Sequence, residues 1–251
     1  MKFTIKKSLG QHFLKDETIC KKIVEAVCQS PFENLVEVGP GAGALTKYLI
    51  DIPNINFRAV ELDDEKVEYL KLTFPVLKDK IIHQDFLQTT VPFENEFTIV
   101  GNFPYNISTE ILFKVLDWKT QVPTMIGMFQ KEVAERVASN YGKKSYGIIS
   151  VLIQAYYNVE YLFDVPPTSF NPPPKVDSGM IRLTRKDKPL EFSSHKKFVI
   201  LVKAAFNQRR KMLRNPLKGM FEPEVLQEEI FTKRAEQLSI QDFADLTYRM
   251  K

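Results

Sequence analysis

The fold is decided by the stretch Leu35-Val36-Glu37-Val38-Gly39-Pro40-Gly41-Ala42-Gly43, in which a short apolar strand runs directly into a glycine-rich turn. The helical pattern of Ala42–Ile50 follows it. Glycines at such a turn let the backbone bend sharply and come close to a ligand. A strand, a glycine turn and a helix in this order predict the first unit of a parallel α/β sheet.

Outward from this stretch, apolar runs predict six more strands. Helical patterns at residues 64–73, 107–118 and 131–139 separate most of them, so we expect a parallel sheet with right-handed crossovers. The last two strands have no long helix between them, and an antiparallel pair is expected to close the sheet. The predicted strands are 57–60, 80–83, 97–100, 124–129, 155–163 and 178–183.

The chain changes character after residue 184. We predict an α/β domain over residues 1–184, a polar linker over 185–194 that contains Pro189, and a small all-helical domain over 195–251. Between Lys196 and Met220 there are eight basic residues and no acidic one. This distribution predicts a phosphate-binding face for RNA, although a solvated helix end is the alternative.

Composition sets broad limits on the function. The chain has 251 residues, 44% of them hydrophobic, a net charge of +4 and two cysteines, Cys20 and Cys28. These values indicate a globular protein with free thiols in a reducing, cytoplasmic compartment. No apolar run reaches the length of a membrane span, and the three histidines lack metal-ligand spacing with the cysteines, so neither a membrane nor a metal is expected.

The glycine turn leaves two cofactors open. Gly39, Gly41 and Ala44 satisfy the dinucleotide fingerprint, and Glu61 ends the next strand where it can accept both hydroxyls of a ribose. Three details favour S-adenosylmethionine over NAD. The Glu37 carboxylate can pair with the ammonium of the methyl donor but would repel a pyrophosphate. Gly43 lets the backbone approach the ligand closely at one more position. Asp85 can accept a hydrogen bond from an adenine amino group.

The motif Asn102-Phe103-Pro104-Tyr105 follows the strand 97–100. Its amide oxygen and a carbonyl near Pro104 suit the N–H groups of a flat ring with an exocyclic amine, and Tyr105 suits its face. Phe170, on the proline-stiffened segment 166–174, is the candidate for a second stacking wall. An adenine base fits this description, and Asn102, Pro104, Tyr105 and Phe170 are therefore the predicted catalytic residues.

The chain resembles the ribosomal RNA adenine dimethyltransferases of the KsgA type over nearly its full length. The resemblance lies in five motifs and in the basic tail. These are residues 8–14 (Ser-Leu-Gly-Gln-His-Phe-Leu), 37–43, 84–85, 102–105 and 169–178 (Ser-Phe-Asn-Pro-Pro-Pro-Lys-Val-Asp-Ser), with Gln208-Arg209-Arg210-Lys211-Met212-Leu213-Arg214-Asn215 in the tail.

The resemblance implies the Rossmann-like class I methyltransferase fold, with a seven-stranded sheet and a helical C-terminal domain. It also implies that six residues bind S-adenosylmethionine, namely His12, Leu14, Gly39, Glu61, Asp85 and Asn102. Phe103 stands where leucine is the commoner family choice and is expected to face the core. For RNA binding the candidates are Arg209, Arg210, Lys211 and Arg214.

The expected function is dimethylation of N6 on two adjacent adenosines in the 3′-terminal hairpin of small-subunit (16S) ribosomal RNA, by a monomer acting on a pre-ribosomal small subunit. Positioning and preorganised dipoles are expected to supply the catalysis, and the base has to leave its stack to be reached. Three alternatives stay open at this point: a large-subunit RNA methyltransferase, a non-catalytic RNA-binding assembly factor and an NAD oxidoreductase.

Overall fold

The computed structural model describes residues 12–251. Short 3-10 turns connect several of its elements. In chain order the strands and helices are β1 (Phe13–Leu14), α1 (Glu17–Val27), β2 (Asn34–Val38), α2 (Thr46–Leu49), β3 (Asn56–Glu61), α3 (Asp64–Thr73), β4 (Ile81–His83), β5 (Thr98–Asn102), α4 (Ser108–Asp117), β6 (Thr124–Gln130), α5 (Lys131–Val137), α6 (Ile148–Gln154), β7 (Tyr157–Val165), β8 (Phe170–Asn171), β9 (Ser178–Arg185), α7 (His195–Asn207) and α8 (Ile240–Thr247).

A seven-stranded sheet with the order β4-β3-β2-β5-β6-β9-β7 forms the centre of the first unit. Its first five strands pair in parallel, and β9 pairs antiparallel with β6 from Thr124↔Thr184 to Gln130↔Ser178. The expected α/β fold with seven strands and an antiparallel closure is confirmed. The strand order runs outward from β2 to β4 on one side and from β5 to β6 on the other, so a topological switch point lies between β2 and β5. Open α/β sheets bind ligands at such a point.

Burial explains why the central strands are rich in apolar residues. Every residue of β2 is buried, and so are the first four residues of β5. Asp16 caps the N-terminus of helix α1, and its carboxylate accepts from the N–H groups of Thr18 and Ile19. The helix buries Ile19, Ile23 and Val27 in the hydrophobic core. Strands covered on both faces are the ordinary arrangement of a parallel sheet flanked by helices.

A second sheet consists of only two short strands. β1 pairs antiparallel with β8, with Phe13 opposite Asn171 and Leu14 opposite Phe170. Two-residue strands carry too little periodicity to be predicted, and neither strand was expected. The pairing places the backbone of residues 12–14, which are part of the N-terminal motif, beside the segment 170–172. Residues 8–11 of that motif lie outside the described residues.

The chain divides into two compact units. The first holds the described residues up to Ala134 together with Val159–Arg185, and the second holds Glu135–Asn158 together with Lys186–Lys251. One division falls between Arg185 and Lys186. The second unit also includes Glu135–Asn158 with helix α6. This helix was not expected, because residues 148–153 are apolar except for Ser150 and show no helical periodicity.

The second unit is less regular than the predicted all-helical domain. Ser194 caps the N-terminus of helix α7, and its hydroxyl accepts from the N–H of Lys197. The helix buries Phe198, Leu201 and Val202. Helix α8 begins with a reciprocal cap between Ser239 and Asp242. Between these two helices the chain forms only turns and short 3-10 segments. Within residues 12–251, no helix is long and apolar enough to cross a membrane.

Candidate active site

A cavity of about 210 Å³ opens at the carboxyl ends of β2, β3 and β5. Five parts of the first unit line it: residues 12–14, 37–42 with 44–45, 60–62, 84–87 and 102–107. The structure therefore brings together most of the residues predicted from sequence. They are His12, Leu14, Gly39, Glu61, Asp85, Asn102, Pro104 and Tyr105.

The glycine turn forms one wall of this cavity. Gly39 has a φ of +67°, a left-handed conformation that side chains rarely adopt. Its N–H donates to the carbonyl of Val60 at 2.9 Å, which fixes the turn against β3. A Cβ built on Gly39 would meet nothing within 4 Å. The open space beside it is where a ligand can approach the backbone, as a cofactor held by this turn requires.

The Glu61 carboxylate ties the turn to the end of β3. Its Oε2 accepts from the N–H of Gly41 at 3.0 Å, and its Oε1 accepts from the N–H groups of Leu62 and Asp63, both at 3.0 Å. Burial raises the pKa of this carboxyl, while the three backbone hydrogen bonds oppose the rise. A carboxylate has about four acceptor positions. Glu61 thus builds the turn and keeps capacity for one further donor.

Glu37 is a buried carboxyl in the wall of the cavity. It is 1% exposed, and its Oε2 accepts from the Thr46 hydroxyl at 2.7 Å. Burial raises the pKa of Glu37 to about 8; the Thr46 hydrogen bond lowers it and the charge of Glu61 raises it further. A buried carboxyl held in its neutral form is poised to ionise when a cation enters the cavity.

Asp85 lies on the opposite side of the cavity, after β4. Its Oδ1 accepts from the N–H of Leu87 at 2.9 Å, so the carboxylate starts a 3-10 turn over residues 86–88. The backbone carbonyl of Asp85 accepts from the hydroxyl of Thr89 at 2.9 Å. These bonds fix the residue while the second carboxylate oxygen stays available to an amino group.

Asn102 ends β5 at the floor of the cavity. Its side-chain N–H donates to the carbonyl of His12 at 2.9 Å. This bond determines the orientation of the amide. The amide nitrogen is engaged with protein, and the amide oxygen is left as an acceptor. A fixed acceptor at a strand end is what the predicted amine-binding role requires.

Tyr105 lies beside His12 in the same wall. The two rings stack with centroids 5.5 Å apart and an interplanar angle of 29°. The Tyr105 hydroxyl hydrogen-bonds to the hydroxyl of Ser178 at 2.5 Å, and His12 Nδ1 lies 2.8 Å from the carbonyl oxygen of Pro172. Burial raises the pKa of Tyr105, against the effect of the Ser178 bond. The tyrosine is therefore a neutral, fixed aromatic face. Sequence reasoning missed the role of Ser178 in holding it.

Phe170 is the predicted site residue that the structure does not bring into the cavity. It is 1% exposed and belongs to the hydrophobic core with Leu14, its partner across the β1–β8 pair. The pairing turns the ring inward, so in this arrangement it supports the N-terminal strand and offers no face to a base. Phe103 is also 1% exposed and packs 5.1 Å from Phe129, in keeping with its expected place in the core.

The predicted RNA-binding residues belong to the second unit and differ in their surroundings. Arg210 and Lys211 are exposed. Arg209 donates to the carbonyl of Lys144 at 2.5 Å, and its Nε lies 3.6 Å from the carboxylate of Glu236. Arg214 has a buried Nε. Arg210 and Lys211 are thus the most exposed of the four, Arg214 is half-buried, and Arg209 is engaged within its own unit.

The described residues contain no group of three or more metal-binding side chains. The polar side chains around the cavity include the carboxyls of Glu37, Glu61 and Asp85, the amide of Asn102 and the ring of His12, beside backbone groups. The chemistry of the site is that of a cavity for a cationic, amine-bearing molecule.

Comparison with known proteins places this geometry in context. The family model described as ribosomal RNA adenine dimethylase matches residues 2–250. A protein from Cytophaga hutchinsonii named ribosomal RNA small subunit methyltransferase A is 52% identical over 250 residues, with 98% of this chain and 97% of the relative covered. The protein of the same name from Flavobacterium johnsoniae is 50% identical, with 100% and 97% covered.

Two solved structures share the fold. One is a dimethyladenosine transferase from Plasmodium falciparum, with a TM-score of 0.79, 24% identity, and 94% of this chain and 96% of that chain covered. The other is the 23S rRNA methyltransferase ErmE, with a TM-score of 0.70, 25% identity, and 93% and 99% covered.

Proposed function

The chain belongs to the ribosomal RNA adenine dimethylase family, and from that premise we propose that it dimethylates N6 of two adjacent adenosines in the 3′-terminal hairpin of small-subunit (16S) ribosomal RNA. It is an S-adenosylmethionine-dependent methyltransferase that acts on ribosomal RNA. The named small-subunit relatives support the choice of RNA. We further propose that it acts as a cytoplasmic monomer on a pre-ribosomal small subunit.

The residues around the cavity fit S-adenosylmethionine. A buried, neutral carboxyl at Glu37 suits the ammonium of the cofactor, and the open face of Gly39 admits its amino-acid part. Glu61 keeps acceptor capacity for one ribose hydroxyl, and Asp85 has a second oxygen for an adenine amine. His12 and Leu14 border the cavity from the N-terminal strand. When bound, the cofactor supplies an electrophilic methyl group.

The observation that carries the proposed chemistry is the orientation of Asn102. Because its N–H is held by the carbonyl of His12, its oxygen is free to accept an N6–H of the target adenine. The Pro104 carbonyl accepts from the N–H of Ile107 and from the hydroxyl of Ser108. We therefore assign the second acceptor to the neighbouring carbonyl of Phe103.

The two acceptors prepare the amine for attack. Accepting both N6 hydrogens draws the lone pair of the nitrogen out of conjugation with the ring, and fixed dipoles do this without reorganisation. Pro104 stiffens the segment, and Tyr105 offers a fixed face for an extruded base. Since the Phe170 ring is in the core, we assign stacking to Tyr105 and a supporting role to Phe170.

The raised pKa of Glu37 predicts a pH dependence of cofactor binding. The folded protein holds Glu37 neutral below about pH 8, whereas the ordinary carboxyl ionises near 4.5. Ionised Glu37 favours the bound ammonium, so binding below pH 8 has to release a proton. Between about pH 6 and about pH 8, the affinity of the wild type relative to Glu37→Gln should rise by roughly 50-fold, because well below the pKa of about 8 each pH unit changes the ionised fraction about tenfold.

Calorimetric titration of both proteins with S-adenosylmethionine measures this ratio. Dividing by the Glu37→Gln affinity removes the titration of the cofactor's own amine, which has a pKa near 7.7–8.0 in an α-amino group. A ratio that stays constant over this range would show that Glu37 does not face the ammonium.

The basic segment predicts the salt dependence of RNA binding. Changing both Arg210 and Lys211 to alanine should reduce the slope of log affinity against log salt by about 1.4–1.8, because each lost phosphate contact contributes about 0.7–0.9. Filter binding to a small-subunit RNA transcript at several salt concentrations measures the slope.

The control for this measurement is the pair Lys78→Ala and Lys80→Ala. It removes the same charge from exposed positions of the first unit. An equal change of slope in both double variants would mean that net charge alone is measured, and that Arg210 and Lys211 hold no phosphate.

A further inference from the structure

The loop of residues 140–145 joins α5 to α6 in the second unit and is exposed at every position. It reads Asn-Tyr-Gly-Lys-Lys-Ser and contains no acidic residue. Tyr141 is 58% exposed. A large aromatic side chain between solvent-exposed lysines has little to gain from packing in its own unit, and this composition is typical of surfaces on which nucleic-acid bases stack.

The backbone of this loop is fixed although its side chains point outward. The N–H of Gly142 donates to the carbonyl of Glu236 at 2.6 Å, and Arg209 donates to the carbonyl of Lys144 at 2.5 Å. At the end of the loop the hydroxyl of Ser145 lies 2.8 Å from that of Ser139. A loop held in this way loses little conformational entropy when a partner binds its side chains.

Arg209 links the loop to the basic segment. Its guanidinium holds the Lys144 carbonyl, its Nε lies 3.6 Å from the Glu236 carboxylate, and the next two residues are the exposed Arg210 and Lys211. The Glu236 carboxylate is paired with Arg209, and the loop itself contains no acidic residue to offset its two lysines. Arg209 acts as a positioning residue that places two more cations beside those of the tail.

We propose that the 140–145 loop is a second RNA-binding element, in which Lys143 and Lys144 contact phosphates and Tyr141 stacks on an unpaired base. This rests on the proposed function, since the RNA is the ribosomal RNA of the substrate. Charge and an exposed aromatic side chain together favour RNA over an acidic protein surface, which would need no stacking platform.

Two sets of variants test the loop separately from the tail. Changing both Lys143 and Lys144 to alanine should reduce the salt slope of binding by about 1.4–1.8. Tyr141→Ala should weaken binding by roughly tenfold and leave the slope unchanged, because stacking neutralises no charge. Tyr248→Ala is the matched control, since Tyr248 is 59% exposed in the same unit and its neighbour Arg249 is paired with Glu228. It should bind as the wild type does.

The probes are small ribosomal subunits from cells lacking the methylation and protein-free small-subunit RNA. Weaker binding to both probes supports the proposal. Weaker binding to subunits alone would assign the loop to a ribosomal protein and overturn it. Wild-type affinity in the loop variants, or an equal loss in Tyr248→Ala, would also overturn it. Transfer of label by the wild type is read in the same samples, so a failure of the proposed function is seen separately from a failure of the loop.

Discussion

Asn102→Ala should lower the rate of methyl transfer by about 100-fold to 1000-fold, the usual effect of removing one preorganised group that stabilises developing charge. The alanine removes the oxygen that accepts from N6 of the target adenine. It also removes the donor to the carbonyl of His12, and losing that hydrogen bond costs about 1 kcal/mol of stability. The loss of rate should therefore far exceed the loss of cofactor affinity.

Single-turnover transfer from labelled S-adenosylmethionine to small-subunit RNA measures the rate, and calorimetry measures the affinity. Asn158→Ala serves as the control, because Asn158 is an exposed amide in β7. If Asn102→Ala transfers methyl groups within about threefold of the wild-type rate, the amide does not act on the amine. A parallel loss of rate and cofactor affinity would instead make Asn102 a cofactor-binding residue only.

Gly101→Ala should destabilise the first unit by about 3 kcal/mol, at the upper end of what overpacking costs. A Cβ at this position would lie 2.6 Å from the carbonyl oxygen of Val38 and 2.7 Å from a ring carbon of Phe103. The first of these atoms is backbone of β2 and cannot rotate away. The clash therefore pushes β2 and β5 apart. Because Val38 precedes the glycine turn and Gly101 precedes Asn102, the turn and Asn102 move away from each other.

Urea unfolding of the purified protein measures this effect, and cofactor binding should be lost together with stability. Gly219→Ala is the matched control, since a Cβ at Gly219 meets nothing within 4 Å. If Gly101→Ala unfolds at the urea concentration of the wild type, β2 and β5 are not packed as closely at the site as the structure has them.

The strands and most of the cavity residues could be predicted because each depends on a local pattern. Apolar runs bounded by turns mark the seven strands of the sheet, and the polar residues that follow them meet at one edge, since the carboxyl ends of parallel strands lie together. Glu61, Asp85 and Asn102 were found in this way. Burial of β2 and β5 on both faces made the signal strong.

The features that escaped prediction depend on contacts between distant residues. The burial of Phe170 follows from its pairing with Leu14, which is 156 residues away in the sequence, and two-residue strands have no period to detect. Arg209 looks like its neighbours in sequence, and only the approach of Lys144 and Glu236 separates it from them. Helix α6 was missed because its apolar residues occupy every side of the helix.

The fold alone does not distinguish small-subunit RNA from large-subunit RNA as the substrate. The 23S rRNA methyltransferase ErmE has a TM-score of 0.70 to this chain, while the relatives named for the small subunit reach 52% identity over nearly the whole length. The cavity supports the methyl donor over NAD, because the buried carboxyl of Glu37 can ionise to pair with an ammonium, whereas a pyrophosphate offers it no cation. The relatives named for the small subunit therefore favour small-subunit RNA over large-subunit RNA, and a direct measurement distinguishes the two substrates.

That measurement is the incubation of the protein and radiolabelled S-adenosylmethionine with small and large ribosomal subunits from cells that lack the enzyme. Label should appear in small-subunit RNA as N6,N6-dimethyladenosine, at two adjacent positions of the 3′-terminal hairpin, and Asn102→Ala should abolish it. Label confined to large-subunit RNA, or no label in either RNA, would contradict the account.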